Sequence, residues 1–187
     1  MDIIFLIGIV AALVLIGGVA WWLKSKGRPV PEALRLGRTL PAFEAEDEQG
    51  NVVHSNDLRG KPTVMLFVRG NWCPFCSSQV KNLTKYYKDI VDAGARLILV
   101  TPKPLETTRR VAQFFEVDFD FWLDPTLRVA TQLELLLPDG VPKSYDAEYG
   151  SDTVWPTALV VDSSGEIVYV NLSKFIADRP DPKVLLE

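Results

Sequence analysis

Among 187 residues the sequence has only two cysteines, Cys73 and Cys76, and a single histidine, His54. A zinc site would need two further ligands beside the cysteine pair, so no metal is expected. Attachment of a c-type haem would need histidine straight after the second cysteine, where Ser77 stands, and no bound cofactor is implied. Basic residues are not in excess either. The net charge of −4 argues against a nucleic-acid binder, and an apolar content of 48% argues against a disordered chain. Repeats and low-complexity tracts are missing, and the length suits one catalytic domain rather than two.

Charge is wholly missing from Ile3 to Leu23, a run of 21 residues. As a helix it would extend roughly 32 Å, which matches a bilayer hydrocarbon core of about 30 Å. Trp21 and Trp22, followed by Lys24, Lys26 and Arg28, read as an interfacial belt and its charged flank. The expectation is a single-pass anchor over 1–23, a basic linker over 24–38 with Gly27, Pro29, Pro31 and Gly37, and a folded domain over 39–187 that carries a net −7. The bases on the C-terminal flank place that domain on the cytoplasmic side. Two other readings remain open. The run could be a signal peptide cleaved near Gly18-Val19-Ala20, although only Asp2 precedes it, or it could be a core helix of the domain.

In the domain, Phe43 to Asp47 and Val52 to His54 flank the turn Gln49-Gly50-Asn51 and read as a hairpin. Thr63 to Val68 is a continuous apolar run, as expected of a central strand buried on both faces. Helical spacing runs from Gln79 to Ala93, and Arg96 to Val100 is the next strand. A second helix is expected over Leu105 to Phe115, then a short strand over Asp120 to Leu123. A third helix follows to about Leu135, with Asp124 as its N-cap and Pro125 at its first position. Pro138 to Asp152 reads as a surface excursion. Thr157 to Asp162 and Glu166 to Val170 close the chain as a hairpin. The order predicts an α/β fold with a central mixed sheet in a three-layer arrangement.

The strongest local signal is Trp72-Cys73-Pro74-Phe75-Cys76, placed after a buried strand and opening a helix. Proline fits the first helical turn, where a missing N–H costs nothing. Cys73 then sits at the helix N-terminus, where free amides and the helix dipole favour a thiolate. Cys76, one turn further in, can attack Cys73 once a mixed disulfide has formed. A structural disulfide closing so short a loop would restrain the unfolded chain little. Two inert core cysteines are the remaining alternative.

These residues resemble the thioredoxin superfamily: the strand, the Trp-Cys-x-x-Cys helix start, and Trp155-Pro156-Thr157 before a strand. The resemblance implies a thioredoxin-like fold, with Pro156 in cis and its loop facing the dithiol. The larger pattern is similar to the redoxin or peroxiredoxin-like branch (alkyl hydroperoxide reductase/thiol-specific antioxidant, AhpC/TSA). It rests on Leu40-Pro41-Ala42-Phe43, Asp57-Leu58-Arg59-Gly60-Lys61-Pro62, Asp124-Pro125 with Val129-Ala130, and Val161-Asp162-Ser163-Ser164-Gly165-Glu166-Ile167. The box itself resembles the glutaredoxin type, Cys-Pro-aromatic-Cys. Three departures matter. The peroxiredoxin threonine and proline positions hold Gly70 and Leu66, its active-site arginine position holds Pro156, and the buried acid of thioredoxins is replaced by Phe67.

The resemblance implies an oxidoreductase that works by thiol–disulfide exchange, with Cys73 as nucleophile and Cys76 resolving. Trp72, Trp155 and Pro156 would receive a partner's chain, and Arg69 is a candidate for holding the Cys73 thiolate. The partner would be a protein or small-molecule thiol or disulfide, with a thioredoxin- or glutathione-type electron donor. A thiol-dependent peroxidase with Cys73 peroxidatic is the alternative, and a non-enzymatic membrane-tethered scaffold a second one.

Overall fold

The computed structural model of the chain describes residues 3–25, 28–103, 110, 113–114, 116–175 and 177–185, without the side chains of 3, 4, 6 and 23–25. The helix expected over Leu105 to Phe115 falls largely outside the described residues.

A seven-stranded mixed sheet carries the domain. Its strands are β1 (Glu44–Glu46), β2 (Val52–His54), β3 (Thr63–Phe67), β4 (Arg96–Thr101), β5 (Asp120–Leu123), β8 (Thr157–Val161) and β9 (Ile167–Leu172). They lie in the order β2-β1-β5-β4-β3-β8-β9. Strands β3, β4 and β5 are parallel, while β8 runs antiparallel to β3, and β9 to β8. The apolar run in β3 explains its central place. Met65 and Phe67 enter one core cluster, whereas Val64 and Leu66 enter the other, so both faces are covered.

The expected helix over 79–93 is in fact two: α2 (Pro74–Thr84) starts at the cysteine box, and α3 (Tyr87–Asp92) follows a break. Tyr86 at φ −110° and ψ 4° leaves the helical region and turns the axis there. The third helix is also shorter than expected. As α4 it covers only Arg128–Gln132, because Leu127 adopts φ 55°, a left-handed conformation. Pro125 therefore lies outside it. Asp124 still serves its amides, but from four residues upstream: buried, it accepts Val129 N at 3.2 Å and Ala130 N at 2.9 Å.

The excursion at 138–152 is closed at its base by β6 (Leu136–Leu137) paired with β7 (Thr153–Val154) and carries the short helix α5 (Asp146–Tyr149) near its tip. At the other end of the chain, the stretch read as a linker lies on the domain from residue 28. Leu34 is buried, Gly37 N donates to Ile167 O at 2.9 Å, and Arg28 donates to Glu134 O at 2.6 Å.

Ile3–Ser25 forms one helix, α1. Four successive residues, Leu13, Val14, Leu15 and Ile16, are each 63–70% exposed. Successive residues sweep the whole circumference, so this stretch of the helix is open on every side and is not part of the domain core. Among the described residues no helix is long and apolar enough to cross a membrane.

Candidate active site

Strand β3 leads at its C-terminal end into Arg69 and Gly70, from which Asn71 and Trp72 lead into α2. Cys73 is the residue before the helix and Pro74 opens it. The amides of Cys76 and Ser77 point back to Cys73 O at 3.1 and 3.2 Å. Both cysteines are free thiols, and each is only 1% exposed. A hydrogen bond between their sulfur groups, above all, lowers the Cys73 thiol from an ordinary 9.0 to about 6; burial opposes this, and the Cys76 amide, Arg69 and Arg179 assist. Cys76 moves the other way. The same bond pins its proton, and burial adds to the rise. The pair thus divides into one thiolate and one protonated thiol near neutral pH.

Arg69 is 2% exposed, and its guanidinium lies 4.4 Å over the Trp72 ring. It donates through Nη2 to Gly140 O, while Nε and Nη1 are buried without a partner at hydrogen-bonding distance. Burial lowers its pKa, and the charges on the two sulfurs pull it back up.

Arg179 carries no signal in the sequence, yet it too reaches the sulfurs. Its Nη2 lies 3.5 Å from Cys76 Sγ and 4.0 Å from Cys73 Sγ. Its Nη1 donates to Ser173 Oγ at 3.2 Å and to Asp178 O at 2.6 Å. The C-terminal segment thus lies across the dithiol like a strap, anchored by buried Leu185 in the same core cluster as the cysteines.

The excursion covers the other flank. Trp72 stacks on Tyr145 at 6.1 Å and meets Tyr149 edge-on at 6.4 Å, and the Tyr149 hydroxyl donates to Asn71 Oδ1. Gly70 makes this closure possible. At φ 142° it holds a backbone conformation that favours glycine, and a Cβ there would stand 2.8 Å from Trp72 Nε1 and 2.9 Å from Tyr149 Cε1.

Trp155 and Pro156 connect to the dithiol through Ser173. The Trp155 ring packs against the other core cluster, with Arg28 5.5 Å above it. Its Nε1 donates to Ser173 O at 2.7 Å, and Pro156 O accepts Ser173 N at 3.0 Å. Both therefore hold the residue that holds Arg179. The expected cis-proline is corrected: no described peptide bond is cis. The chain passes straight from β7 into β8, with Trp155 N tied to Leu135 O at 2.6 Å on one side and Pro156 O to Ser173 on the other.

His54 is remote from the dithiol and sits 3.6 Å from Glu44. Among the described residues no group of three or more histidine, cysteine or acidic side chains could hold a metal.

Comparison with known proteins finds redox enzymes of two kinds. Thiol-disulfide oxidoreductase ResA of Halalkalibacterium halodurans is 27% identical over 138 residues, 73% of this chain and 68% of the relative. Chloroplastic peroxiredoxin Q of Sedum lineare is 26% identical over 144 residues, 76% of this chain and 72% of the relative. Among solved structures, peroxidoxin BcpB from Mycobacterium tuberculosis superposes with a TM-score of 0.61 at 20% identity, covering 77% of this chain and 90% of its own. The thioredoxin domain of a thiol-disulfide oxidoreductase from Bacteroides vulgatus gives 0.55 at 25% identity, covering 82% and 94%. The fold is thioredoxin-like and the chain is an oxidoreductase. The model of the AhpC/TSA family matches residues 36–170, well over half of the chain, and the chain belongs to that family.

Proposed function

We propose that the chain is a thiol–disulfide oxidoreductase that cycles Cys73 and Cys76 between dithiol and disulfide. The observation that carries this reading is the geometry of the pair: two free, buried thiols, Cys73 just before α2 and Cys76 in its first turn, with Arg179 Nη2 4.0 and 3.5 Å from their sulfurs. Cys73 attacks one sulfur of the partner's disulfide, forming a mixed disulfide and releasing the other as a thiolate. Cys73 then no longer carries charge. The bond that pinned the Cys76 proton is gone, and Arg179 at 3.5 Å favours its thiolate. Cys76 attacks Cys73 Sγ, expels the second partner thiolate and leaves the intramolecular disulfide. Arg179 thus takes over part of the work that a buried acid does in thioredoxins, where this chain has Phe67. The thiol-type partners of its relatives support the same chemistry.

A second reading, a thiol peroxidase, draws on Arg69. Its two unpartnered donors beside Cys73 could bind a peroxide oxygen where the peroxiredoxin threonine is replaced by Gly70. Parallel assays on the full chain separate the two. Reduction of a disulfide substrate, with peroxide consumed no faster than by a free thiol, supports the exchange reading. Rapid peroxide turnover that depends on Cys73, with no disulfide reduction, overturns it. A scaffold role would require that Cys73→Ser with Cys76→Ser restore a deletion strain fully.

α1 is the proposed membrane anchor of this enzyme. An uncharged run from Ile3 to Leu23 and a helix that is apolar all round and open on every side over residues 13–16 support it. The flank of Lys24, Lys26 and Arg28 favours the cytoplasmic side for the domain, where thiol systems would keep the pair mainly reduced. A cytoplasm-dependent reporter fused after Glu187 should be active; an inactive reporter with an externally protease-sensitive domain overturns that placement.

A further inference from the structure

A cleft of about 460 Å³ runs beside the dithiol between α2 and the strap, within the usual size range of small-molecule sites. Its α2 wall carries Phe75, Gln79, Asn82 and Lys85, and its strap wall carries Arg179 and Asp181. Gln79 is notable because it is only 7% exposed, yet its side-chain amide makes no hydrogen bond to any described residue. A nearly buried amide that donates and accepts into a cleft is a polar group waiting for a ligand. Two cations face one acid on the lining, so the cleft favours an anion. Arg179 borders both the cleft and the sulfurs, and so joins the two places.

We propose that this cleft binds the substrate of the exchange reaction, the disulfide of a small thiol that carries free carboxylates and amide groups. The proposal rests on the exchange reading above. Size selects a small molecule over a protein: at 1% exposure neither sulfur meets a broad protein surface, and the cleft joins the sulfurs through Arg179, which lines it and lies 4.0 Å from Cys73 Sγ. Lys85 meets a carboxylate at the far end, and Gln79 pairs with the ligand's amide. The reaction balances as one disulfide and the protein dithiol giving the protein disulfide and two small thiols. The two electrons pass from Cys73 and Cys76 to the partner's sulfurs; the one thiol proton, on Cys76, goes to one leaving thiolate, and solvent protonates the other.

The test follows oxidation of the reduced full chain by two probes, glutathione disulfide and the uncharged 2-hydroxyethyl disulfide. Glutathione disulfide should react with saturation and faster. Lys85→Gln, at an exposed position, should cut the ratio of the two rates about three-fold, the size of one exposed ion pair, and added salt should cut it likewise. A structural defect would slow both probes alike and leave the ratio untouched. Equal rates for the two probes, or a ratio indifferent to Lys85→Gln and to salt, overturn the cleft while leaving the exchange chemistry standing. Failure of both probes to oxidise the pair overturns the exchange reading and the cleft with it.

Discussion

Arg179 Nη2 lies 3.5 Å from Cys76 Sγ although 103 residues separate them in the chain. The strap that carries this guanidinium closes over a dithiol whose first thiol is already acidic and whose second is not. Removing the charge should therefore act on the second half of the cycle more than on the first. In Arg179→Gln the attack of Cys76 on the mixed disulfide should slow roughly ten-fold, since a hydrogen bond to a charged group contributes about 1.5–3 kcal/mol. Acid quenching and mass measurement should show the mixed disulfide accumulating, and Arg179→Lys should restore part of the rate.

Cys76 itself is the largest cause of the acidic Cys73, ahead of either arginine. Cys76→Ala should raise the Cys73 pKa more than Arg69→Gln or Arg179→Gln does. Thiolate absorbance followed against pH should show a midpoint near 6 for the native reduced protein. Alkylation of Cys73 at pH 7 should fall about ten-fold in Cys76→Ala as the thiolate fraction drops.

The same shift links stability to pH. Cys73 ionises at about 6 in the folded chain against an ordinary 9.0, so folding favours its thiolate and the contribution is complete only above the unfolded value. Stability of the reduced protein in urea should fall as pH drops from 9 towards 6. Above that window Cys76 works in the opposite direction, because folding holds its proton. Cys73→Ser should flatten the 6 to 9 slope.

Much of this arrangement was legible in the sequence. The apolar run at Thr63 to Val68 has one physical reading, a strand covered on both faces, and Pro74 after Cys73 has one position in a helix. Arg179 was not legible, because nothing near it in sequence marks it, and only the path of the strap brings it to the sulfurs. Periodicity carried the helix through Tyr86 because apolar spacing continues there while the backbone does not. The start of α4 was misplaced for a related reason: Asp124-Pro125 looks like a cap and first turn, but the left-handed Leu127 delays the helix and Asp124 reaches forward to cap it.

Gly70→Ala tests the closure of the excursion over Trp72. The new Cβ would combine a strained backbone with contacts of 2.8 and 2.9 Å to Trp72 and Tyr149. The variant should lose about 1–3 kcal/mol in urea titration. Its near-ultraviolet dichroism should show the Trp72 stack with Tyr145 released.

The central claim is a two-electron cycle confined to Cys73 and Cys76. Equilibrating the full chain across glutathione redox buffers, then alkylating free thiols and weighing the protein, tests it most directly. Both thiols should disappear together in one step, with a Cys73–Cys76 disulfide and a potential of roughly −200 to −230 mV, the range of glutaredoxin-type pairs. Oxidation of Cys73 alone, or no intramolecular disulfide at any buffer ratio, would contradict it.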